Sequence, residues 1–233
     1  MKSRSNDRSA AIKRMVIAAV FTAIAYVCVC VFRIKVSFLT FDIKDSVITV
    51  CAMIFGPLTG LAISLAVSFI EMVTISDTQL YGFIMNVLST AVFSMTASAV
   101  YKKKRDIVGS ILGLVSAVFA TTAVMMLANL FITPYYMGVG QDVVISMIPK
   151  LLFPFNLIKS ILNASLVMLI YKPIVTALRR AGAIKASKVS SGYTFDKKSL
   201  AVIISALAIM TISLLIFFVA MGANVEWFGA FNK

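Results

Sequence analysis

Asn86, Asn129, Asn156 and Lys159 are polar side chains set inside otherwise apolar stretches, and Asp42 and Asp45 stand just ahead of another. Amides both donate and accept hydrogen bonds, and an ammonium donates with charge. Together they suit a polar site rather than bond breaking. Asn156 and Lys159 are three residues apart and so share one helix face. A lysine in an apolar segment is costly and faces a cavity or a partner; Lys159 either meets a ligand or neutralises Asp45 or Glu71. The asparagines either line a site with it or knit helices together. Phe38, Phe41, Tyr81, Tyr135, Tyr136, Phe153 and Phe155 gather at the same level, as an interfacial belt or as walls for a planar ring.

Other chemistries lack their residues. The chain has no histidine, no carboxylate pair at helical spacing and no nucleophile motif, which argues against an intramembrane enzyme. Neither G-x-x-x-x-G-K-[S/T] nor a Rossmann fingerprint occurs, so ATP-driven work would need another chain. Cys28, Cys30 and Cys51 lie in apolar segments without metal-ligand spacing and read as small buried hydrophobes.

The elements that position these residues are membrane helices. Hydrophobic residues make up 61% of the 233 and charged ones 13%, with mean hydropathy +0.99. Soluble domains run at about 45–50% apolar residues, so lipid must solvate part of this surface. Apolar spans are expected at about residues 12–32, 58–75, 81–101, 107–132, 151–177 and 200–221. A segment at 46–55, too short to cross alone, joins the next span through Gly56-Pro57. Residues 33–45 and 133–150 read as loops. The expected fold is all-α: a six-helix membrane bundle over residues 12–177 plus one extra C-terminal transmembrane helix at 200–222. A tail at 1–11, a basic linker at 178–199 and a short outer tail at 223–233 complete the chain.

The net charge of +13 would suggest nucleic acid in a soluble protein, but no soluble domain remains to carry it. Residues 1–14, 101–105 and 172–198 hold sixteen of the 22 basic residues, and the opposite loops hold five. Cytoplasmic loops carry the excess of Lys and Arg, so the N-terminus is expected inside a cell membrane. The asparagines, Lys159 and the aspartates then all fall in the outer half. In the first span, Ala19 and Ala23 form a small-xxx-small pair that admits a close-packed helix, from this chain or a partner.

Four segments resemble a known family. Phe38-Leu-Thr-Phe-Asp-Ile-Lys-Asp45 precedes Gly56-Pro-Leu-Thr-Gly60, and Gly82-Phe-Ile-Met-Asn86 opens the fourth helix. Asn129-Leu-Phe-Ile-Thr-Pro-Tyr-Tyr136 and Pro154-Phe-Asn-Leu-Ile-Lys159 follow. Over about residues 12–177 the sequence resembles the substrate-binding S component of energy-coupling factor (ECF) vitamin transporters, and within them the riboflavin-specific group. It departs in its extra helix, and in Ser46-Val47 where the family usually has Ile-Pro.

The resemblance implies a non-enzymatic subunit without a cofactor, which binds riboflavin as transported ligand through Leu39, Thr40, Phe41, Asp45, Gly82, Asn86, Asn129, Asn156 and Lys159. It further implies a transmembrane coupling subunit docking at Ala19 and Ala23, two cytoplasmic ATPases, and toppling in the lipid bilayer to release vitamin inside. An S component for folate or a flavin nucleotide, or a membrane assembly protein without transport, are the competing readings. The C-terminal helix has only Ser and Thr as polar residues, so it is expected to be a lipid-facing appendage to a complete site.

Overall fold

Ile17, Phe21, Ala25 and Val29 recur every fourth residue and are buried, whereas Met15, Val16 and Val20 on the other side are more than half exposed. A helix that is apolar all round but packed along one stripe presents its remaining face to lipid. This pattern recurs through the computed structural model. It describes residues 2–184, 197–221 and 225–227, with the backbone alone for 2–10, 197–199, 220–221 and 225–227.

The order is α1 (Lys2–Val31), β1 (Ile34–Val36), β2 (Leu39–Phe41), α2 (Lys44–Phe55), α3 (Pro57–Thr74), α4 (Gln79–Lys103), α5 (Ile107–Met137), α6 (Gln141–Met147), a π-helical turn (Ile148–Leu152), α7 (Phe153–Arg180), α8 (Lys197–Met221) and β3 (Val225–Trp227). Among the described residues, six helical stretches are long and apolar enough to cross a membrane. The exception, α2, has 12 residues, all of which from Lys44 to Met53 are buried. It is the central post, packed against α1, α3, α4 and α7.

Gly56 joins α2 to α3 at φ 106°, a conformation that favours glycine, and Pro57 opens α3, where its missing N–H costs nothing. Gly60 lets α3 close on its neighbours: a Cβ there would lie 2.8 Å from Ala52 Cβ and 2.8 Å from Ser94 Oγ. Asp106 caps α5, accepting from the Gly109 N–H at 2.7 Å.

Three sequence expectations change. The loop expected at 133–150 is mostly helical, because α5 runs through Pro134 to a left-handed cap at Gly138, with α6 and the π turn behind it. Pro134 removes one backbone bond, that to the Leu130 carbonyl, while its own carbonyl takes the cap N–H of Gly138. The segment at 33–45 contains an antiparallel hairpin, β1–β2, with Val36 opposite Leu39 and Ser37 at φ 56° in the turn.

The C-terminal helix is more than an appendage. It packs along α7, Phe217 is 1% exposed, and β3 pairs with β1, Ile34 opposite Trp227. Periodicity missed this because a single aromatic knob does not change the composition of a lipid-facing helix, whose Leu215 and Val219 are exposed as expected. Most of the expected linker, residues 185–196, lies outside the described residues, as does much of the tail at 223–233.

Candidate functional site

At the hairpin end of the bundle, α1, the hairpin, α3, α4, α5 and α7 line a partly open cavity. Leu39 and Thr40 reach it from β2, Gly82 and Asn86 from α4, Asn129 from α5, and Asn156 and Lys159 from α7. Val29, Ile75, Met85, Met125 and Ile132 supply apolar wall. Phe38, Tyr81, Tyr136 and Phe155 supply rings, with Tyr136 at 6.3 Å from Phe38 and 6.4 Å from Tyr81 between centroids.

Two expected site residues do not line it. Phe41, at the end of β2, is buried away from the cavity against Phe217 at 5.3 Å. Asp45 sits in the first turn of α2 and accepts from Thr90 Oγ1 at 2.6 Å, tying α2 to α4. Asp42 lines the cavity instead. Of the rings, Tyr135 and Phe153 are exposed and stay outside it.

The cavity floor is a buried charge network. Lys159 Nζ donates to Asp42 Oδ2 at 3.0 Å and to the Thr40 carbonyl at 3.2 Å. Its charge partner is thus Asp42, rather than Asp45 or Glu71. Lys44, at 1% exposure, donates to both oxygens of Glu71 at 2.7 Å. Asn163 locks the frame: its Oδ1 accepts from Ser46 N and Oγ at 3.0 and 2.6 Å, and its Nδ2 donates to the Asp42 carbonyl at 3.1 Å. Burying ions is tolerated only when each is paired and hydrogen-bonded, as here.

The same bonds orient the amides. Asn86 Nδ2 donates to Glu71 Oε2 at 2.9 Å, and Asn156 Nδ2 to the Leu152 carbonyl at 2.8 Å. A carboxylate held by Lys44 only accepts, so the Asn86 nitrogen must face it, and the amide oxygen is the end left for the cavity. Asn129 Nδ2 donates to the Met125 carbonyl, and its Oδ1 takes the Thr133 hydroxyl. The site therefore offers amide oxygens and an ammonium between apolar and aromatic walls. That arrangement suits a flat molecule with a polar edge.

Sequence reasoning missed Lys44, Glu71 and Asn163 as part of this site. Lys44 reads as a loop lysine, and Asn163 is not among the polar residues singled out from the sequence. The available signal was spacing: Asn163 follows Lys159 by four and so shares its face.

Fold and site together define a polytopic membrane protein with a partly open polar cavity at one end. The family model for the substrate-specific component of ECF transporters matches residues 13–171, and the chain belongs to that family. It is 28% identical over 179 residues to the riboflavin transporter RibU of Staphylococcus aureus (strain TCH60), covering 72% of this chain and 93% of that one. It also matches the solved structure of the S component of a bacterial ECF transporter with TM-score 0.62 and 28% identity, over 72% of this chain and 98% of that chain. The protein is a multi-pass membrane component of vitamin uptake.

Proposed function

We propose that this protein binds riboflavin in the hairpin-end cavity and delivers it to an ECF module for uptake. The observation that carries the reading is the convergence of Leu39, Thr40, Gly82, Asn86, Asn129, Asn156 and Lys159 on one ring-walled cavity. A flavin's fused rings suit the walls formed by Phe38, Tyr136, Met85 and Met125, and its pyrimidine edge alternates acceptors with an N–H donor. Lys159 answers an acceptor, and the amide oxygens of Asn86 and Asn156 answer a donor. Ribityl hydroxyls suit the hairpin backbone. A relative named as a riboflavin transporter adds support.

The hairpin end faces outward and the N-terminus lies in the cytoplasm, as the basic loops at the opposite end favour. The coupling subunit docks on α1, where Ala19 and Ala23 lie exposed among apolar neighbours, and two ATPase subunits supply the energy. Purified protein titrated with riboflavin, flavin mononucleotide and folate in one detergent tests the reading. Quenching of flavin fluorescence with tight saturation by riboflavin is expected. Tighter binding of the nucleotide would transfer the assignment to a phosphorylated flavin, with Arg33 at the cavity wall as its partner. Failure of either flavin to bind would overturn it.

A further inference from the structure

The family match ends at residue 171, so α8 and β3 lie beyond the part of the chain that it covers. They nevertheless meet the hairpin that walls the cavity. A hairpin of three-residue strands is not stable alone and must be held by what surrounds it. Five attachments hold this one. Arg33 Nη1 donates to the Ile75 carbonyl at 2.7 Å, and Lys35 pairs with Asp77, both in the α3–α4 connection. Lys159 takes the Thr40 carbonyl. On the outer edge, β3 pairs with β1 and covers a row of backbone groups that would otherwise stand unpaired. Beneath, Val36 and Phe41 are buried in a cluster with Phe155, Ile158, Leu162 and Phe217. Two of these attachments, the outer strand and the aromatic knob, come from the C-terminal segment.

Most of α8 fits a helix that merely sits in lipid. Ile204, Ile212, Leu215 and Val219 are more than half exposed. The contact stripe, Ala206, Met210, Ser213, Leu214 and Phe217, carries small or flexible residues until its hairpin end, where Leu214 joins the cluster and Phe217 stands 5.3 Å from Phe41 and 6.5 Å from Phe155. Phe155 lines the cavity on its other side, and so does Leu39 of the same cluster. Within a bilayer an apolar side chain gains little by moving from lipid to protein, because lipid tails solvate it as well. What Phe217 contributes is therefore position: it fills the space behind the cavity wall and fixes the hairpin against α7.

We infer that α8 and β3 form a brace for the substrate site, with Phe217 the positioning residue that acts through Phe41 and Phe155 and sets how long ligand stays bound. The chemistry of recognition remains with the cavity residues. The hairpin walls the cavity, so the brace limits how far that wall can move when ligand leaves. The part about ligand lifetime rests on the riboflavin reading, whereas the part about the hairpin does not.

The test uses the full chain in lipid nanodiscs, comparing wild type with Phe217→Ala, Phe217→Met and, as a control on the lipid-facing side of the same helix, Leu215→Ala. Two readouts separate the inference from the riboflavin assignment. Backbone hydrogen exchange of residues 34–41, measured without ligand, should quicken in Phe217→Ala, recover largely in Phe217→Met and stay at the wild-type rate in Leu215→Ala. Riboflavin release, followed by the return of flavin fluorescence on dilution, should be about tenfold faster in Phe217→Ala, as for the loss of two aromatic contacts. Exchange unchanged in Phe217→Ala would overturn the brace whatever the ligand proves to be. Faster exchange with unchanged release would overturn the link to ligand lifetime. A wild-type protein that ignores riboflavin would sink the ligand assignment while exchange alone still decided the brace.

Discussion

Glu71 holds Lys44 with both carboxylate oxygens at 2.7 Å and takes the Asn86 amide with one of them at 2.9 Å, so one buried carboxylate both neutralises a lysine and aims a cavity amide. Removing one partner of a buried ion pair leaves the other uncompensated, at about 3–5 kcal/mol, whereas replacing both with apolar residues is often neutral. Glu71→Leu or Lys44→Met alone should therefore lower the Tm in detergent much more than the two together. The double variant should still bind ligand more weakly, because Asn86 is no longer oriented. A double variant less stable than either single one would show that the pair is not the unit described.

Lys159 has a divided role. Lys159→Met should weaken riboflavin binding by the value of a charged hydrogen bond, about 1.5–3 kcal/mol, or roughly ten- to a hundredfold in Kd. It should also lower the Tm, because Asp42 loses the ammonium at 3.0 Å. Affinity from quenching titrations and Tm from the same sample separate the two effects. Unchanged affinity with a lowered Tm would mean that Lys159 only neutralises Asp42.

Ala19 and Ala23 lie on the exposed side of α1, opposite the buried Ile17, Phe21 and Ala25. Replacing both with leucine should leave binding by purified protein intact and abolish uptake by cells, since only a docked partner needs the close approach. Loss of binding in the purified variant would place these alanines in the fold rather than at an interface.

Gly60→Ala should destabilise the bundle by about 1–3 kcal/mol, the usual range for overpacking. Its new Cβ would meet Ala52 Cβ and Ser94 Oγ, both at 2.8 Å. Pairing it with Ser94→Gly, which removes the softer obstacle, should recover part of the loss in a thermal melt. A fully stable single variant would show that α3 can shift away from α2 and α4 at no cost.

The spans and the cavity's polar residues were legible because lipid imposes a length and a price on charge that composition and spacing report directly. Asn156 and Lys159 could be put on one helix face from their separation alone. Three features were hidden for different reasons. Phe41 packs against Phe217 of a distant helix, and the hairpin had been read as a loop. Lys44 and Glu71 meet from 27 residues apart, a distance that no local pattern encodes. Pro134 is a helix breaker by rule, but here the helix was almost finished.

The shortness of α2 fixes a depth. Twelve helical residues rise about 18 Å, against a hydrocarbon layer of about 30 Å. The missing length is taken up by the hairpin and the cavity above Lys44, so on the proposed reading a bound molecule would lie below the headgroups rather than upon them. Binding alone would then accomplish part of the crossing. What would be left for an energy-consuming step is to expose, on the other side, a ligand that has already left the water it came from.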